Sequence, residues 1–93
     1  MVVGFRDRAS QAIFAGDAVK RFPPDLLRAI RLKLAMLNHV TCLDDLRFPP
    51  GNRLEALRGD RAGQFSIRIN KQWRICFTWT EKGPDYVEVV DYH

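Results

Sequence analysis

The stretch FSIRINKQWRICFTW, residues 65–79, decides the fold. Phe65, Ile67 and Ile69 alternate with Ser66 and Arg68, while Trp73, Ile75, Phe77 and Trp79 alternate with Arg74, Cys76 and Thr78. Successive side chains of a β-strand point to opposite faces, so a period of two predicts two strands, each with one buried face. A slip of one residue would turn the whole apolar set over, so the pattern predicts the register as well. Across a turn at residues 70–72, Ile69 meets Trp73, Ile67 meets Ile75 and Phe65 meets Phe77. Arg68 then lies opposite Arg74 on the other face. Like charges placed so destabilise a sheet, and a bound anion would relieve them.

Continuing the apolar face downstream predicts a last strand over residues 86–90, after a turn at residues 82–85 that contains Gly83 and Pro84. Pairing Trp79 with Val87 and Phe77 with Val89 puts Arg74 opposite Tyr92 and Ile75 opposite Asp91. Arg68, Arg74 and Tyr92 would form one row, with His93 just beyond it. Upstream, residues 54–57 suit a short strand before a loop at residues 59–63, and the apolar run at residues 2–5 suits an edge strand.

Between these lie two helices. Residues 7–14 read as a brief one, with Asp7 placed to cap it and Gly16 to end it. Pro23 and Pro24 suit the first turn of a longer helix over residues 25–40, in which Leu26, Ile30, Leu34 and Leu37 form a buried stripe. Residues 42–52, with Pro49, Pro50 and Gly51, connect it to the sheet. The layout predicts a single α+β domain over residues 1–93, two helices packed on an antiparallel meander.

Fifteen Lys and Arg against eleven Asp and Glu leave a charge of +4, and eleven of the fifteen cations are Arg. A guanidinium is a planar, permanently charged fork that matches phosphate, so this bias favours an anionic partner. Cys42 and Cys76 are too few for a disulfide framework and lack metal-ligand spacing, and both are expected as reduced core thiols. His39 reads as structural. No stretch is apolar and long enough for a signal peptide or a membrane span, so the cytoplasm is the expected address.

The run LEALRGDRAGQFSIRINKQWRICF (residues 54–77), the segment Phe14-Ala15-Gly16-Asp17 and the terminal Asp91-Tyr92-His93 resemble the HigB-type killer proteins of the RelE/ParE toxin superfamily. The resemblance spans nearly the whole chain. It implies a RelE-like fold, with two helices on a twisted antiparallel sheet. It also implies cleavage of messenger RNA in the ribosomal decoding site without a metal or other cofactor. The implied partners are the ribosome and a cognate helix-turn-helix antitoxin of HigA type, with operator DNA met only through that antitoxin. Arg58 matches the basic residue of the family's L-K-G-D motif, Arg74 its strand arginine, and Asp91, Tyr92 and His93 its C-terminal catalytic group. A His often precedes the L-K-G-D motif in this family, and here the position holds Glu55.

Metal-free RNA cleavage needs a base for the 2′-hydroxyl, a cation for the developing phosphorane charge and an acid for the leaving 5′-oxygen. Glu55 is the expected base, Arg74 the cation and His93 the acid, with Asp91 and Tyr92 completing the group. Arg53, Arg58, Arg61, Arg68 and Lys71 are expected to grip phosphates. Two alternatives share the fold: a ParE-like gyrase-directed toxin, which needs no such catalytic set, and an inactive RNA- or antitoxin-binding module.

Overall fold

The computed structural model describes residues 1–91. Helix α1 (Arg8–Phe14) begins where the Asp7 carboxylate accepts the Ser10 amide at 3.3 Å, and it ends at Gly16, whose φ of +96° turns the chain away. Helix α2 (Pro24–His39) opens on its proline, which suits a position whose amide has no partner. Its buried stripe is Leu27, Ile30, Leu34 and Leu37, so Leu27 rather than Leu26 is the first fully buried residue, with Leu26 partly covered. Arg31 of α2 donates to the carbonyls of Ile13 and Asp17, holding the end of α1.

Strands β1 (Glu55–Ala56), β2 (Gln64–Arg68), β3 (Trp73–Thr80) and β4 (Gly83–Asp91) form one antiparallel sheet in that order. Ile67, Ile75, Phe77, Val87 and Val89 of the sheet share a core with Ile13 of α1 and the stripe of α2. Ser10, itself buried, accepts the Val89 amide at 2.9 Å and ties α1 to β4. The start of the chain lies beside β4 with a single parallel bridge, Phe5 to Val87, instead of a full edge strand.

The expected register of β2 on β3 holds, including Arg68 opposite Arg74. Asn70 closes that hairpin by accepting the Gln72 and Trp73 amides, each at 2.9 Å. The next hairpin differs. Its turn is tighter than expected, with Thr80 paired to Gly83, so Gly83 and Pro84 belong to the strand. Trp79 meets Pro84 instead of Val87, and Arg74 meets Val90 instead of Tyr92. Between Cys76 and Thr78 the register shifts. Tyr86, with φ of +49°, is the extra residue, and the bulge returns Val87 and Val89 to the apolar face. Ile75 thus pairs with Val89, not Asp91, and Val90 takes the place opposite Arg74 that the expected register gave to Tyr92, which lies outside the described residues.

Candidate active site

Both α-helices pack on the apolar face of the sheet, leaving the opposite face to polar side chains. Glu55 of β1, Ser66 of β2, Cys76 of β3 and Glu88 of β4 succeed one another across it by direct pairing. Arg74 shares this face, two residues before Cys76.

Arg74 lies on the polar face, as expected, yet is only 5% exposed. Its Nε donates to the Ser66 hydroxyl at 2.8 Å, and one terminal nitrogen donates to the carbonyls of Arg53 at 2.6 Å and Ser66 at 3.3 Å. The same nitrogen lies 3.9 Å from a Glu55 carboxylate oxygen. These acceptors explain how two arginines tolerate facing positions. Arg74 is drawn toward β1 while Arg68 donates to the Asn70 carbonyl at 3.0 Å, so the pair is accommodated by the chain's own oxygens.

The Arg53 carbonyl reaches Arg74 because Arg53 adopts a left-handed conformation, φ +45°. The loop before it is anchored by Asn52, which is fully buried. The Asn52 amide nitrogen donates to the Leu46 and Phe48 carbonyls, and its oxygen accepts from Lys33 of α2. Ser66 and Asn52 escaped the sequence reading. Ser66 had a signal, since the register already set it beside Arg74. Asn52 had none, because its partners come from a connector without periodicity.

The structure brings Glu55 and Arg74 together. Asp91 is placed otherwise: it pairs with Trp73, whose side chain packs toward the core, and its carboxylate accepts from Gln72 at 3.2 Å. That parity belongs to the helix-covered face. Tyr92 and His93 lie outside the described residues. Arg53, Arg58 and Lys71 are exposed, and Arg68 is half-buried at the end of β2. Arg61 is not a loose surface cation. It donates to Gln64 at 3.1 Å and to Glu88 at 3.0 Å, across the sheet face.

Cys76 is buried under this polar layer, and burial pushes its thiol above the usual range. Nearby Glu88 pushes the same way, against Arg61 and Arg74. The thiol is therefore the neutral centre of a charged surface and a poor nucleophile. Cys42, expected in the core, is exposed on the connector after α2. His39 is exposed in the last turn of α2. Among the described residues, no three His, Cys, Asp or Glu side chains gather where they could hold a metal ion.

Over residues 3–93 the chain matches the HigB-like toxin family, described as the RelE-like toxin of type II toxin–antitoxin system HigB. Toxin HigB-1 of Vibrio cholerae is 38% identical over 82 residues, covering 87% of this chain and 86% of that protein. Endoribonuclease HigB of Proteus vulgaris is 25% identical over 93 residues, the whole of both chains. A solved YoeB/ParE toxin from Agrobacterium tumefaciens shares the fold, with a TM-score of 0.53 at 20% identity, covering 99% of this chain and 96% of that one. Matched along almost its full length and folded as two helices on a four-stranded antiparallel sheet, the chain belongs to the HigB-like toxins, the RelE-like toxins of type II toxin–antitoxin systems.

Proposed function

We propose that this toxin is an endoribonuclease that cuts messenger RNA on the ribosome, by attack of a 2′-hydroxyl on the adjacent phosphate without a metal ion. The observation that carries the reading is the pairing of Arg74 and Glu55: a rigidly held, largely buried cation on the face opposite the helices, with a half-exposed carboxylate 3.9 Å away. The relative from Proteus vulgaris that bears the name Endoribonuclease HigB supports it.

In this mechanism Glu55, about half exposed, takes the proton from the 2′-hydroxyl. Arg74 meets the charge that develops on the phosphorane. A guanidinium already fixed by Ser66 and Arg53 needs no reorganisation at that moment, which is where such groups act most strongly. His93 returns a proton to the leaving 5′-oxygen, with Asp91 and Tyr92 beside it in sequence. Arg53, Arg58, Arg68 and Lys71 hold flanking phosphates and position the strand without reading its bases.

Membership of a type II toxin–antitoxin family implies a cognate antitoxin. We infer that this antitoxin is a helix-turn-helix protein of HigA type, through which alone the toxin meets operator DNA, and that the pair works in the cytoplasm. Among the described residues, no helix is long and apolar enough to cross a membrane.

Mapping RNA 5′ ends after incubation with programmed ribosomes tests the reading. The wild-type chain is expected to cut within the message. Glu55→Gln, and a chain shortened after Tyr92, should each lose about 10²–10⁴-fold in rate, the usual worth of general acid or base catalysis. Absence of cutting by the wild type, or full cutting by both variants, would overturn the proposed chemistry and move a gyrase-directed action ahead.

A further inference from the structure

Glu88 stands in the middle of the β4 part of the polar face, and no step of the proposed chemistry uses it. It pairs with Cys76, so it sits on the same side of the sheet as Arg74. One carboxylate oxygen accepts from Arg61 at 3.0 Å and lies 3.9 Å from Nε of Arg6. Arg61 comes from the far side, in a 3₁₀ turn (Gly59–Arg61) between β1 and β2, twenty-seven residues away in sequence.

The backbone hydrogen bonds of that loop, Leu57 to Gln64, Arg61 to Arg58 and Ala62 to Gly59, are all local, whereas the Arg61–Glu88 contact reaches across to β4. Residues 58, 59, 60, 62 and 63 are all exposed, and Gly59 and Gly63 take φ of +63° and +91° with open space where a side chain would stand. Arg61 alone turns inward, over the sheet, to Gln64 and Glu88. The pair is partly shielded, at 35% and 21% side-chain exposure, so its geometry is better defined than that of a solvated surface pair.

A carboxylate on a face that receives phosphates opposes binding by its charge. A chain that keeps one there gains something else from it. We propose that Glu88 is a positioning residue, which pins Arg61 across the sheet so that Arg61 and Arg74 present two fixed cations to the RNA. This rests on the RNA-cleavage reading and adds to it a residue that acts through Arg61, not on the substrate.

The test is steady-state cleavage on programmed ribosomes by wild type, E88A, E88Q, R61A and the E88A/R61A double variant, with thermal melting to confirm folding. Misplacing one positioned group can cost up to about 10²-fold, and a partial tether about 10-fold. E88A is therefore expected to lose about 10-fold in kcat, with KM little changed, and R61A as much or more. E88Q keeps an oxygen for Arg61 and should stay within about threefold of wild type, which separates geometry from charge. The double variant should be no worse than R61A. Cleavage by E88A equal to or faster than wild type would overturn the proposal, as would single losses that multiply in the double variant. If E88A fails to fold, a large loss in E88Q overturns it equally. Side-chain NMR of Arg61 keeps the two readings apart. A sharp Arg61 signal that broadens in E88A, in a wild-type chain that cuts nothing, refutes the cleavage reading and leaves the tether standing; a signal unchanged in E88A refutes the tether.

Discussion

Arg53 combines two roles that a single substitution would confuse. Its backbone sits at φ +45°, a region that residues other than Gly, Asn and Asp enter at a cost, and its carbonyl accepts from Arg74 at 2.6 Å. Arg53→Gly should therefore keep the backbone bend and remove only the side chain. Weaker RNA binding with a normal or slightly higher melt is expected; Arg53→Ala loses the same side chain but keeps the strain that Arg53 already bears. Comparing the two variants by RNA titration and melting checks this. Arg74 shows how far burial changes an expectation. Removing it strands the Ser66 hydroxyl and the Arg53 carbonyl, each buried polar group costing about 1–3 kcal/mol when left unpaired. For a domain this small, each kcal/mol lowers the melting temperature by about 4–8 °C. Arg74→Ala should thus melt at least about 8 °C lower and lose toxicity in cells. Arg74→Lys keeps the charge but offers a single nitrogen in place of the fork whose Nε meets the Ser66 hydroxyl while a terminal nitrogen meets Arg53, so its activity should stay well below wild type. Recovery of full toxicity by the lysine variant would mean that charge alone suffices.

At the scale of elements, the connector between α2 and β1 controls the site although it carries no catalytic group. Asn52 holds the Leu46 and Phe48 carbonyls from inside the protein and presents Arg53 to Arg74. Asn52→Ala leaves those carbonyls unsatisfied, so a loss of about 2–4 kcal/mol in denaturant unfolding is expected. Activity should fall further than the change in folded population explains, because the Arg53 carbonyl would no longer be fixed. A variant destabilised yet fully active per folded molecule would show that the connector only supports the fold. The β3–β4 hairpin teaches the converse lesson. Its two alternative registers differ by two residues near Arg74, which preserves the side-chain parity, so the apolar pattern could not tell them apart. Turn geometry chose, through the close pairing of Thr80 with Gly83, and the bulge at Tyr86 absorbed the remaining residue.

At the scale of the whole molecule, the net charge of +4 makes RNA binding depend on salt. For single strands, each phosphate contact adds roughly 0.7 to the slope of log K against log salt. Lys71→Ala and Arg68→Ala, near the β2–β3 turn, should each lower that slope by about this much and weaken binding alike for every sequence tested. A sequence-dependent loss would mark these residues as readers of bases instead. What the sequence determined by itself was the class of fold, the two helices and the first hairpin, because period and turn residues are local signals that packing only has to respect. It also determined that Arg74 leaves the apolar face, and the chain's own motifs carried the resemblance to the family. The tertiary structure alone decided that Arg74 is buried, that Asp91 pairs with Trp73 instead of Ile75, and that Glu88 meets Arg61. Those outcomes turn on a bulge, a left-handed arginine and hydrogen bonds between residues far apart in the chain. None of the three has a periodic trace, since each depends on which distant oxygen a side chain finds once the sheet has closed.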